Sequence, residues 1–391
     1  MKKSLIFGGL LLMAGAMSFT ACNNEDNSVA FDEVVVPYVP GIPSDDIATP
    51  NPEIDPGALN AVLPNFNYTV DMENGWAVIR LDLTGVEDPF THDWVKLYGP
   101  GNTKQNTWLS IDGRPKGFSI YNTIDDVDNT QLSAVDLVFL VDNSGSMGQE
   151  ADAIARDIIE WAQSLSRTLD MQFGCIGYDE GYISGALDMT DVETLSAWLN
   201  KSWGTSRTHG FQSAYGTDLQ TIANNYRTNS WCECGVAALR MADENFTFRK
   251  GANRIYVDFT DEPNQPNGKV EFTVEYVNNP ENWPSTKGTV HTVYSSRSTT
   301  YTEQMLYTEY PWRLSEYTGG TTLFTDPSFS GVTLNDLPVT GAMLNSYIIR
   351  FTNVEEIFDG LAHDVRITVK SESPNGEILA DKQFNMIFVK E

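Results

Sequence analysis

The chain has 391 residues and a formal net charge of −28, from 53 acidic and 25 basic side chains. That length suits two or three domains with sizeable cores, and that charge excludes nucleic acid as a natural partner, because a polyanion would be repelled. The four histidines, His92, His209, His291 and His363, lack the spacing of zinc ligands, so structural roles are expected for them.

Taken in order, the chain opens with Met1-Lys2-Lys3, an apolar run from Leu5 to Met17, and small residues just ahead of Cys22. Such a run is shorter than the ~20 residues a spanning helix needs. It resembles a bacterial lipoprotein signal peptide, which implies removal of residues 1–21 and lipidation of Cys22, with membrane contact through that N-terminal lipid only. Asn23-Asn24-Glu25-Asp26 resembles the export signal of Bacteroides-type surface lipoproteins, which implies the outer membrane and its cell-surface face over the periplasmic one. Cys175, Cys232 and Cys234 then remain, enough for at most one disulfide within the chain. Residues 23–58 hold eight acids, six prolines and no Lys or Arg, so 22–58 reads as an extended stalk that buries no core.

From Leu59 the pattern changes to short alternating strands: Phe66 to Val70, Trp76 to Leu81, Trp94 to Tyr98 and Gly117 to Tyr121, separated by turn residues. These are too few for a complete sandwich. Ser346 to Phe351, His363 to Lys370 and Phe384 to Val389 alternate in the same way, so residues 59–131 and 346–391 are expected to form one antiparallel β-sandwich. Two small independent β units are the alternative, although the last of them would have a marginal core.

Residues 132–345 alternate strand and helix, as a doubly wound parallel α/β sheet requires. Buried strands are expected at Asp136 to Asp142, Met171 to Gly177, Arg254 to Phe259, Thr289 to Tyr294 and Gly320 to Phe324. Helices are expected after Gly148, at Val192 to Leu199, at Val236 to Glu244 and at Glu303 to Leu314. The first strand ends in Asp142-Asn143-Ser144-Gly145-Ser146, which places a carboxylate and two hydroxyls at alternate positions on one polar loop. Oxygens so placed at a strand's C-terminal edge suit a hard divalent cation. Helix capping is the plain alternative, and nucleophilic catalysis is disfavoured because neither serine has glycines on both sides at the required spacing.

The D-x-S-x-S spacing resembles the metal-ion-dependent adhesion site of von Willebrand factor A (vWA) domains. The apolar run ending in Thr260-Asp261, and the turn from Leu314 to Phe324, resemble that family's later strand and last helix-to-strand turn. Together they cover about residues 133 to 345 and imply a doubly wound vWA domain inserted in or flanked by the sandwich. Most members supply a threonine from a middle loop. Here that place is held by Glu233, in Cys232-Glu233-Cys234-Gly235, which resembles the integrin β subunit variant; Thr217 is the fallback. The resemblance implies Ser144, Ser146 and Glu233 as direct ligands of Mg²⁺, with Mn²⁺ or Ca²⁺ as alternatives, and Asp142 and Asp261 acting through water. Glu150 and Asp152 invite comparison with an adjacent calcium site, but Gln149 breaks the acidic pair.

The expected function is metal-dependent adhesion to a protein or extracellular matrix ligand that offers a carboxylate. With no triad, phosphate loop or separate acid pair, an enzyme is not expected. The alternatives are a periplasmic or surface assembly factor, or a structural surface protein without metal-dependent binding.

Overall fold

The computed structural model describes residues 39–123, 134–147, 150–200, 211, 218–229, 231–295, 308–326 and 334–390. The expected signal peptide at 1–21, Cys22, residues 23–38 of the expected stalk, Gln149 and Thr217 lie outside them. The described residues belong to one compact unit, Pro37–Glu391, and form a mixed α/β structure with three sheets.

The chain first lays down β1 (Asn67–Glu73), β2 (Trp76–Leu83), β3 (Thr107–Ile111), β4 (Arg114–Pro115) and β5 (Ser119–Asn122). It then forms β6 (Ala134–Asp142), α1 (Glu150–Leu165), β7 (Asp170–Asp179), β8 (Tyr182–Thr190), α2 (Val192–Leu199), α3 (Leu219–Ala223) and α4 (Gly235–Asn245). Next come β9 (Asn253–Thr260), α5 (Val274–Asn278), β10 (Thr289–Tyr294), α6 (Arg313–Thr318), β11 (Thr322–Phe324) and α7 (Pro338–Leu344). It closes with β12 (Tyr347–Phe351), β13 (His363–Ser373) and β14 (Gly376–Met386).

Two four-stranded sheets run β1-β2-β12-β5 and β14-β13-β3-β4, so each combines strands from both ends of the chain. Residue β12 Ile349 pairs with Leu81 on one side and Ile120 on the other, and Val369 of β13 pairs with Thr107 of β3. The inward positions, among them Ile79, Leu81, Leu109, Ile349, Val365 and Ile367, form one apolar cluster.

The third sheet runs β11-β10-β9-β6-β7-β8, parallel except for β8. Every residue of β6 after Ala134 is buried, because alternate side chains serve two cores. Leu137, Phe139 and Val141 join Ile154, Ile158 and Trp161 of α1, whereas Val138 and Leu140 meet Val236, Ala237 and Leu239 of α4. The chain leaves β6 toward β7 and leaves β9 toward β10, on opposite sides. Adjacent β6 and β9 therefore open a crevice beyond their C-terminal ends, where such sheets bind ligands.

Several expected elements are corrected. The described part of the stalk is not free: Val39 and Ile42 are buried against Val78, and Asp45 accepts from Lys116 Nζ at 2.7 Å and from the Gly117 amide at 2.8 Å. Gly117 allows this approach, since a Cβ there would lie 2.3 Å from the Ser44 carbonyl oxygen. Trp94 to Tyr98 forms only an isolated bridge at Trp94, because the Asn106 side chain takes up the Tyr98 amide and the Lys96 carbonyl. The last strand is Gly376–Met386 rather than 384 to 389; its outward Glu377, Asp381 and Gln383 disguise the inward Ile378 and Ala380. Of the helix expected at Glu303 to Leu314, residues 303–307 lie outside the described residues; Glu309 makes an isolated bridge and α6 starts at Arg313, since Pro311 cannot occupy a helix interior.

The placement of Ile349 predicts a stability effect. It is fully buried on the strand that joins β2 to β5, so Ile349→Ala should cost about 2–5 kcal/mol by cavity formation. Denaturant unfolding should show it, with Leu361→Ala, at an exposed position, as the silent control.

Candidate metal centre

The site is built at the crevice between β6 and β9. Where β6 ends, the Asn143 amide makes a last bond to the Tyr178 carbonyl at 2.7 Å. The Ser144 amide then donates to Asp142 Oδ1 at 2.9 Å, an Asx-type turn that bends the loop over its own strand end. Thr260, at the end of β9, donates its hydroxyl to Asp142 Oδ2 at 2.9 Å. Ser146 donates to Asp261 Oδ1 at 3.0 Å, and the Ser144 and Ser146 hydroxyls lie 3.1 Å apart. Glu233 arrives from the loop just ahead of α4. Carboxylate oxygens of Asp142, Glu233 and Asp261 all lie within 4.8 Å of one another.

All five residues expected at the site, Asp142, Ser144, Ser146, Glu233 and Asp261, are thus at or beside one point. Asp142 and Ser144 are fully buried, while Gly145 and Ser146 are exposed, so the cluster opens to solvent on the serine side. Thr260, which the sequence reading named only as the end of a strand, fixes the second oxygen of Asp142. Asp258, also passed over, lies two residues below it on the same face of β9 and accepts from the Tyr178 hydroxyl at 2.9 Å.

The electrostatics are unfavourable as they stand. Among the described residues, no Lys, Arg or His pairs with any of the three carboxylates. Burial first, then the charges of Glu233 and Asp261, push the Asp142 carboxyl well above the usual range. Burial, then the charges of Glu262 and Asp261, push Glu233 up to about 7, and burial raises Asp261. Glu233 Oε2 is buried with no hydrogen-bond partner. A buried anionic oxygen without a donor, beside two further carboxylates and two hydroxyls, is a fitting donor set for a hard divalent cation. The three remaining cysteines are free, with Cys175 and Cys234 buried.

No known family matches the chain, and no curated protein does. Comparison with solved structures returns the adhesive tip pilin GBS104 from Group B Streptococcus agalactiae, at 12% identity over 34% of this chain and 46% of that one, with a TM-score of 0.22. It also returns the vWF domain of the type V pili tip protein Mfa5 from Porphyromonas gingivalis, at 12% identity over 54% and 96%, TM-score 0.29. A third is the manganese-loaded Plasmodium vivax TRAP protein, at 12% identity over 68% and 97%, TM-score 0.28. The chain thus spans under half the length of the streptococcal pilin, and scores this low assign neither fold nor function. No helix among the described residues is long and apolar enough to cross a membrane.

The raised Glu233 pKa has a definite sign. A carboxyl at about 7 when folded, against an ordinary 4.5, contributes stability that is fully present below 4.5 and is lost as pH rises through about 7. In the metal-free protein, Glu233→Gln should therefore melt higher than the parent above neutrality, and the gap should close as the pH falls toward 4.5. Thermal melts across that window check it; a gap that widens toward acid would contradict the assignment.

Proposed function

We propose that this chain is a lipid-anchored, divalent-metal-dependent binding protein of the bacterial cell surface, which recognises a protein or matrix ligand through an acidic group. In this reading residues 132–345 act as a vWA domain inserted in a β-sandwich, and Cys22 carries the lipid. The observation that carries it is the convergence of Asp142, Glu233 and Asp261 within 4.8 Å, open to solvent at Ser146 and with no basic side chain paired to them among the described residues.

Ser144, Ser146 and Glu233 would hold Mg²⁺ directly, and Asp142 and Asp261 would accept hydrogen bonds from its waters. The bound ion supplies an exchangeable coordination position that a partner's carboxylate can take. The chain's own residues do the rest. Thr260 and the Ser144 amide hold Asp142 in one orientation, and Ser146 links the β6 loop to Asp261. An all-oxygen set admits Mn²⁺ or Ca²⁺ as well as Mg²⁺.

Binding to the folded state alone stabilises it by about 2.7 kcal/mol at a hundredfold excess over Kd. The melting temperature of the full chain should therefore rise with Mg²⁺ or Mn²⁺. Glu233→Ala should abolish the rise, Asp261→Asn should weaken it less, and Thr217→Ala should leave it intact. Loss of the response in Thr217→Ala with retention in Glu233→Ala would reverse the ligand assignment. Separately, Cys22→Ser should abolish fatty-acid labelling and membrane fractionation in the native host; unchanged labelling would remove the anchor from the reading.

A further inference from the structure

The loop that supplies Glu233 also displays a tryptophan. We infer that Trp231 is the apolar contact that reads the residue beside the acid of a protein ligand, so that the partner offers an Asp or Glu next to a large apolar side chain. This rests on the metal-dependent reading above.

Trp231 is 78% exposed, more than any other large apolar side chain among the described residues. Its backbone φ is +76°, a left-handed conformation that a bulky residue rarely takes. Folding gains nothing visible from either feature, and strain held by surrounding structure is a mark of binding sites. Here the surroundings hold it firmly. The Thr228 amide donates to the Gly181 carbonyl at 3.0 Å, and the Gly181 amide donates to the Cys232 carbonyl at 2.8 Å. The Thr228 hydroxyl reaches the same Cys232 carbonyl at 3.2 Å, and the Cys232 amide turns back to Asn229 at 3.3 Å. The backbone is therefore pinned on both sides of Trp231 to the turn between β7 and β8, and the indole is carried outward on a fixed mount.

One residue, Cys232, separates Trp231 from Glu233, so their Cα atoms lie within about 7 Å. Tyr182 stands at the same turn, 37% exposed, with its hydroxyl on Asp179 Oδ2 at 3.1 Å. An aromatic rim beside an acid-accepting centre fits a peptide whose carboxylate goes to the metal while its neighbour lies on the indole. Tryptophan is among the side chains enriched where protein contacts concentrate their binding energy.

The test uses the Mn²⁺-loaded full chain and two peptide probes, N-acetyl-glycyl-aspartyl amide and N-acetyl-phenylalanyl-aspartyl amide, with Kd read from Mn²⁺-induced relaxation of probe protons. The phenylalanyl probe should bind roughly two- to tenfold more tightly, the worth of one aromatic pair. Trp231→Ala should erase that preference and leave Mn²⁺ and glycyl-probe binding unchanged. Trp231→Gly, which tolerates positive φ, should do the same and melt no lower than the parent. A preference that survives both variants, or is absent from the parent while the glycyl probe binds, overturns this inference alone. If Mn²⁺ binds but neither aspartyl probe does, acid recognition itself fails, and this inference with it. Glucuronate binding more tightly than both peptides would make the occupant an acidic sugar and likewise overturn the proposal.

Discussion

Strand β6 buries an aspartate at each end, and the two are treated in opposite ways. Asp136, at the base, is fully buried and meets Arg249 through its Nε at 2.7 Å and its amide at 2.6 Å. Asp142, at the top, is equally buried but faces Glu233 and Asp261, with no basic partner among the described residues. Removing a carboxylate from water costs several kcal/mol unless an opposite charge or strong donors replace the water. The base supplies that replacement from the protein. Among the described residues the top supplies two hydrogen bonds and more negative charge, the arrangement on which the proposed metal reading rests.

The rest of the architecture makes such an end tolerable. At the opposite end of the sheet, side chains hook the α/β segment onto the β sheets. Asn253 accepts from the Asn67 amide and donates to the Asp82 carbonyl, and Asn65 donates to the Gly288 carbonyl at 3.0 Å. Lys382, buried enough to lower its pKa to about 8, caps Asn65 Oδ1 at 3.0 Å. With its base held this way, the upper loops can converge like charges without loosening the sheet that carries them.

Much of this was legible because β6 is unambiguous. Asp-Leu-Val-Phe-Leu-Val-Asp is apolar on both faces and stops at a hydroxyl-rich loop, so strand, turn and donor set follow from the residues themselves. Glu233 was reachable only through a family likeness, since nothing in Cys232-Glu233-Cys234 says which way the acid points. Strand β8 went unread because Gly185 interrupts its alternation and its pairing with β7 is irregular near Gly177. Asp258 was hidden in plain view: an acid inside an apolar strand signals either a partner or a site, and here a tyrosine on β7 donates to it. Trp231 left a fainter signal, a tryptophan in a polar loop directly before the candidate ligand.

Asp258 also explains how Glu233 can be held where it is. The first residue of α4 is Gly235, and a Cβ there would stand 2.8 Å from Asp258 Oδ2, so the helix start rests directly on that carboxylate. A helix N-terminus carries partial positive charge and favours an acid at that place. The Val236 amide is taken by Asn264 Oδ1 at 3.2 Å, which fixes the same turn from its other side. Asp258 accepts from the Tyr178 hydroxyl, its Oδ2 is buried beside the helix start without a hydrogen-bond partner, and burial pushes the carboxyl up to about 7. Any side chain at 235 would lift the first turn of α4 off β9, and the acid two residues upstream would move with it. The glycine after Cys234 is therefore a condition for the convergence of the three carboxylates, not a generic helix start.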